Sequence, residues 1–155
     1  MSPFAWLLGL ALPAIGAEGA AGLPPPARMD MNRIERPASP NMFLAGPAGM
    51  TPAPDLVVEP AAGTAEALFE RVRRVFESQP RTHVAAVFPQ QRQVHYVVRS
   101  ALVNYPDLVT VQADPAGPDT ASLTIWSRSV YGRRDFGVNK ERVAAWLAAL
   151  RRAGP

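Results

Sequence analysis

The sequence predicts an α+β domain in the order α-β-β-β-β-α: a four-stranded antiparallel meander with two helices packed on one face, preceded by an extended proline-rich segment. Three observations predict it. Apolar residues recur at helical spacing in 64–78 and again in 140–152, whereas the stretch between them changes to the alternation of strands. The links between those strands are short and turn-like, which suits antiparallel neighbours because parallel strands need crossover helices. Finally, 11 of the 17 prolines cluster between Pro3 and Pro60, and proline nearly vanishes from the helix and strand candidates beyond. The chain divides accordingly into an apolar leader, 1–21, a Pro/Gly-rich extended segment, 22–60, and a folded domain, 61–152.

Residues 4–15 (FAWLLGLALPAI) have the length of a signal-peptide core, broken by Pro13 and followed by the small residues Gly16, Ala17, Gly19, Ala20 and Ala21. A membrane span needs about 20 apolar residues, and Glu18 arrives too early for that. The leader is expected to be a signal peptide or short membrane anchor, against the alternatives of a packed or partner-embedded segment and an unstructured start. The flanking charges run the other way. No lysine or arginine precedes the run, while Arg28, Arg33 and Arg36 follow it, a pattern that favours a cytoplasmic C-terminal side.

In 22–60 proline and glycine recur too often for a helix or a central strand, so extended, loop-like backbone is expected. Its apolar residues Met42, Phe43, Leu44, Leu56, Val57 and Val58 exceed what a linker needs, and they suit either packing on the domain's own surface or holding a partner.

Thr64 can cap the first helix, with Leu68, Val72, Val75 and Phe76 on one face and Pro80 as a stop. Strand candidates follow at Thr82–Phe88 and at 94–103, where Val94, Tyr96, Val98 and Leu102 share a face. NYPD at 104–107 has the residues of a tight turn, 108–113 is a third strand, 114–122 a loop, and 123–130 a fourth strand. Asn139 can cap the final helix, whose Val143, Trp146, Leu147 and Leu150 form one apolar stripe. Both stripes on one sheet face would make a single core.

Composition excludes several chemistries. With no cysteine there is no disulfide, thiolate nucleophile or cysteine-ligated metal. The net charge of +3 arises from scattered arginines interleaved with carboxylates, unlike the concentrated basic face of a nucleic-acid binder. His83 and His95 fall on neighbouring strands without a third ligand at metal spacing, and read as half-exposed strand residues. Ser100, Ser127 and Ser129 lack a nucleophile-elbow context, and Asp55, Glu59, Asp114 and Asp119 fall in loops with no register pairing two of them for acid–base work. No cofactor is implied.

The stretch 127–142, SRSVYGRRDFGVNKER, carries the strongest motif. Gly132, Asp135, Gly137, Asn139 and the basic helix start with Arg142, together with Arg99-Ser100 and Tyr105-Pro106-Asp107 upstream, resemble the DUF1499 family over roughly residues 56–152. That is a domain of unknown function found in bacterial envelopes and in plastids. The family's strand often reads Arg-Ser-Ala-Ser-Arg before the glycine; here Trp126 to Val130 lack both flanking arginines and Arg128 sits between. The family also commonly pairs acidic residues at the first turn, where Asp107 is here followed by Leu108.

The resemblance implies a non-enzymatic accessory or interaction subunit of a membrane-associated complex, in the periplasm or on the periplasmic side of the inner membrane, with a membrane or membrane protein as partner. Physically the motif reads first as a folding device, in which Gly132 and Gly137 allow positive φ and Asp107, Asp135, Asn139 and Arg142 belong to a structural charge network. The alternative is an anion site in which Arg99, Arg128, Arg133 and Arg134 converge with the Asn139 helix start on a phosphate or carboxylate. A hydrolase with an unrecognised constellation is the weaker alternative.

Overall fold

The computed structural model describes residues 17–155; the apolar run 4–15 lies outside the described residues. Seven strands and two helices follow in the order β1 (Met42–Gly46), β2 (Leu56–Val57), β3 (Ala61–Ala62), α1 (Ala65–Phe76), β4 (Thr82–Phe88), β5 (Gln93–Arg99), β6 (Pro106–Gly117), β7 (Thr120–Ser129) and α2 (Val138–Arg152). The class is α+β, and the four expected strands are present as an antiparallel run, β4 to β7. The four-stranded sheet and its simple order are corrected. The sheet is seven-stranded, ordered β2-β1-β7-β6-β5-β4, with β3 pairing the start of β7.

Of the additional strands, β1 and β2 come from the proline-rich segment and β3 follows directly after it. Pro40 and Pro47 bracket β1 rather than interrupting it, so its amide ladder is intact. β1 then pairs antiparallel with β7, Met42 opposite Arg128 and Ala45 opposite Ile125. β2 adds a parallel edge to β1.

Two boundaries also differ from expectation. The second predicted strand ends at Arg99 rather than 103, because Ala101 to Val103 form the turn into β6, and Pro106 and Asp107 already pair with β5 and β7. The expected loop 114–122 is instead the distal half of the β6–β7 hairpin, with a register shift between Pro115 and Gly117. Proline is tolerated there because β5 begins only at Gln93, opposite Gln112, leaving that side of β6 beyond Gln112 without a strand partner.

One face of the sheet carries both helices. Thr64 caps α1, its Oγ1 accepting from Ala67 N at 3.1 Å. Leu68, Val72 and Phe76 of α1 and Val143, Trp146, Leu147 and Leu150 of α2 meet Tyr96, Val109, Val111 and Ile125 in one core. Trp146 packs against Phe76 and edge-on to Tyr96, with centroid separations of 4.7 and 5.7 Å. Each such side chain contributes about 1.5–3 kcal/mol on full burial.

The opposite face is covered by the proline-rich segment, where Met31 and Ile34 pack on Leu44 and Trp126 in a second, smaller core. Gln93 holds this strap as a strand neighbour would. Its Oε1 accepts from Met29 N at 2.8 Å and its Nε2 donates to Met29 O at 2.7 Å.

Candidate functional site

The family motif forms the joint from β7 into α2. Phe136 and Gly137 both adopt positive φ, 53° and 83°, which turns the chain sharply after Asp135. The Asp135 carboxylate accepts from Gly137 N at 3.1 Å and, through its other oxygen, from Asn139 N at 3.0 Å and Asn139 Nδ2 at 2.8 Å. Burial alone would raise the Asp135 pKa, but these hydrogen bonds hold it below the ordinary carboxylate value.

Asn139 is therefore not the cap. The residue at that position is Gly137, in the left-handed conformation and without a capping side chain, while Asp135 satisfies the helix amides. Asn139 is fully buried and turned inward, where its Nδ2 donates to Asn41 O (3.1 Å) and Ser129 Oγ (3.0 Å). Its Oδ1 accepts from Ser127 Oγ at 2.6 Å and from Arg142 Nη1 at 2.9 Å. Arg142 continues the network, with Nη1 donating to Ser127 Oγ at 2.9 Å and Nη2 to Asp107 Oδ2 at 2.6 Å. Asn41 closes it from the strap by donating to Gly132 O at 2.8 Å. One buried cation thus meets one buried carboxylate, Arg142 to Asp107, and the other Arg142 donor finds the neutral oxygens of Ser127 and Asn139.

Arg99 and Arg128 lie on the other face, Arg99 against residues 19–21 and Arg128 beneath the strap. Arg99 donates from Nε to Gly19 O at 3.0 Å and from Nη2 to Ala21 O at 2.8 Å. Beside it, Asn104 Nδ2 donates to Ala17 O at 3.0 Å. Together they clamp three carbonyls in the last residues of the leader segment, at Ala17, Gly19 and Ala21.

Arg128 lies over the Trp126 ring at 4.0 Å and donates to Thr110 Oγ1 at 3.2 Å; burial lowers its pKa to about 10. Thr110 Oγ1 is 2.9 Å from His95 Nδ1, and His95 Nε2 is 2.9 Å from Gln93 Oε1. Since Gln93 Oε1 can only accept, Nε2 carries the proton and Thr110 donates to Nδ1. Burial, followed by the Arg128 charge, lowers the His95 pKa to about 4. His95 is thus buried, not half-exposed as its strand context suggested; His83 is exposed. Thr110, His95 and Gln93 are at most 1% exposed, so this polar chain is enclosed among the described residues. Among the described residues no three metal-ligating side chains cluster.

The five residues considered for an anion site do not converge. Arg99 lies against residues 19–21 and Arg128 under the strap, Asn139 is enclosed on the helix face, and Arg133 and Arg134 are exposed on the joint loop. The last two border a depression of about 380 Å³ beside Ala38, Ser39 and Pro40. The motif residues Asp107, Asp135, Asn139 and Arg142, by contrast, meet in one network. Ser127 and Asn41 complete it; Ser127 lies within the motif stretch, whereas nothing in the sequence around Asn41 signals the contact.

Both the 100–105 turn and the 130–137 loop emerge at the end of the sheet where the Arg99 clamp sits, and Tyr105 meets Tyr131 across them at 6.5 Å. Leu102 and Phe136 stand 97% and 91% exposed there, with Val103, Tyr105 and Val138 also exposed. Arg81, Arg133, Arg134 and Lys140 are exposed at the same end. Of its carboxylates, Asp107 and Asp135 are engaged inward and Glu18 and Glu141 face solvent.

No curated protein matches the chain. The family model described as "Protein of unknown function (DUF1499)" matches residues 34–150, which include β1 and the strap's Ile34 as well as the two-helix core. With most of its length covered by that match, the chain belongs to the DUF1499 family.

Proposed function

We propose that the chain is a non-enzymatic accessory domain of a membrane-associated assembly in the bacterial envelope, held on the periplasmic side of the inner membrane with its loop end toward the bilayer. The observation that carries this reading is the composition of that end, where Leu102 and Phe136 protrude and Arg81, Arg133, Arg134 and Lys140 are exposed. Apolar tips among cations match the boundary between acyl chains and anionic headgroups. Two further features support it. The Arg99 and Asn104 clamp fixes residues 17–21 at this same end. Phe136 also holds a left-handed backbone while almost wholly exposed, a strained position that internal packing does not explain.

Detergent extraction of the native protein followed by pull-down and mass spectrometry tests the reading. Recovery from the membrane fraction with a defined membrane-protein partner is expected; a chain that migrates alone in soluble and membrane fractions contradicts it.

A second reading, a small-anion site, is favoured only by the exposed Arg133 and Arg134 at the depression beside Ser39. A thermal-shift screen of phosphate and small carboxylates tests it, and no stabilisation removes it.

A further inference from the structure

At the opposite end of β7 the core is open. Leu68 of α1, Leu123 of β7 and Leu147 and Leu150 of α2 line a cavity of about 530 Å³, within the range of about 300–1,000 Å³ typical of small-molecule sites. The two-residue strand β2 borders it. Leu56 and Val57 of that strand, 37% and 49% exposed, face the same space.

Two guanidinium groups border this apolar space. Arg71 of α1 contributes one wall, and its Nε is buried without a hydrogen-bond partner among the described residues. Arg151, near the end of α2, lies at the exposed rim. Glu59 is the acidic side chain of the lining and forms an ion pair with neither arginine. A buried donor calls for an acceptor, and the leucines call for aliphatic surface.

We propose that this cavity binds a single-chain amphiphile with an anionic head, the chain lying on Leu68, Leu147 and Leu150 and the carboxylate or phosphate oxygens accepting from Arg71 and Arg151. The site lies at the other end of the fold from the loop end and does not depend on the membrane reading.

Equilibrium dialysis of the full chain, below micelle-forming concentrations, with dodecanoate, dodecyl phosphate and dodecanol tests it. Saturable binding of one anionic amphiphile per chain is expected, with dodecanol weaker by about tenfold or more; which of the two anions binds tighter identifies the head. Arg71→Gln and Arg151→Gln are expected to weaken the anion and leave dodecanol unchanged. Should Arg71→Gln fail to fold, Arg151→Gln and Val57→Glu, both at exposed positions, decide in its place. Absence of saturable binding, equal affinity for dodecanol, or unchanged anion binding in the variants overturns the proposal. So does a concentration-dependent dimer abolished by the same substitutions, which assigns the cavity to a second copy of the chain.

Discussion

Arg142 Nη2 lies 2.6 Å from Asp107 Oδ2, with the two side chains only 9% and 10% exposed. This contact ties the first turns of α2 to the start of β6, and through Ser127 and Asn139 it reaches β7 and the strap. Removing one member leaves the other charge buried and alone, which costs about 3–5 kcal/mol. Arg142→Ala and Asp107→Ala are each expected to lower the unfolding free energy by that amount in urea titrations. The double variant is expected to lose much less than the sum of the two.

Gly137 has a φ of 83° and open space where a Cβ would stand. Its replacement by alanine is therefore opposed by backbone conformation alone, and Gly137→Ala is expected to cost about 1–2 kcal/mol. The reverse holds at Phe136, whose φ of 53° is unfavourable for an aromatic residue. Phe136→Gly is expected to leave urea stability unchanged or raise it, a comparison made by equilibrium unfolding of the two variants.

His95 makes stability depend on pH. Its folded value of about 4 lies below the ordinary 6.5, so the unfolded chain takes up the proton first. The contribution is complete above pH 6.5 and is lost as pH falls toward 4, amounting to about 3 kcal/mol at most. Unfolding midpoints between pH 7 and pH 4.5 should show this decline, and His95→Gln should flatten it. In Arg128→Ala, NMR titration should place His95 higher than in the parent chain, since a neighbouring positive charge is gone.

The clamp on residues 17–21 rests on Arg99 and Asn104. Arg99→Ala is expected to speed hydrogen exchange and proteolysis at Ala17 to Ala21 while β6 and β7 keep their protection. Uniform loss of protection across the sheet would show that Arg99 supports the whole fold instead.

Helical and strand periodicity in 64–152 made the helices and the β4 to β7 run legible, because each has one face committed to a common core. β1 was hidden by its flanking prolines, which read as loop signals although they only bound a five-residue strand. The hairpin extension was hidden likewise by Pro115, whose missing amide faces a side of β6 that no strand occupies. The motif showed which polar residues matter but not which face of the sheet each serves. Ser127 and Arg128 are adjacent in sequence, and the alternation of β7 sends one to Asn139 and the other to Thr110. Asn139 illustrates the same limit: its residue type suits a helix cap, and only the position of Asp135 frees it to point inward.

In the proposed arrangement the loop end faces an anionic bilayer. Hydrogen exchange of the full chain, with and without phosphatidylglycerol vesicles, reads this residue by residue and separates the loops from the leader. Slowed exchange is predicted at residues 101–105 and 131–137, reversed by Leu102→Glu with Phe136→Glu. Unchanged exchange in both loops, with vesicle-dependent protection confined to the leader, would contradict the claim.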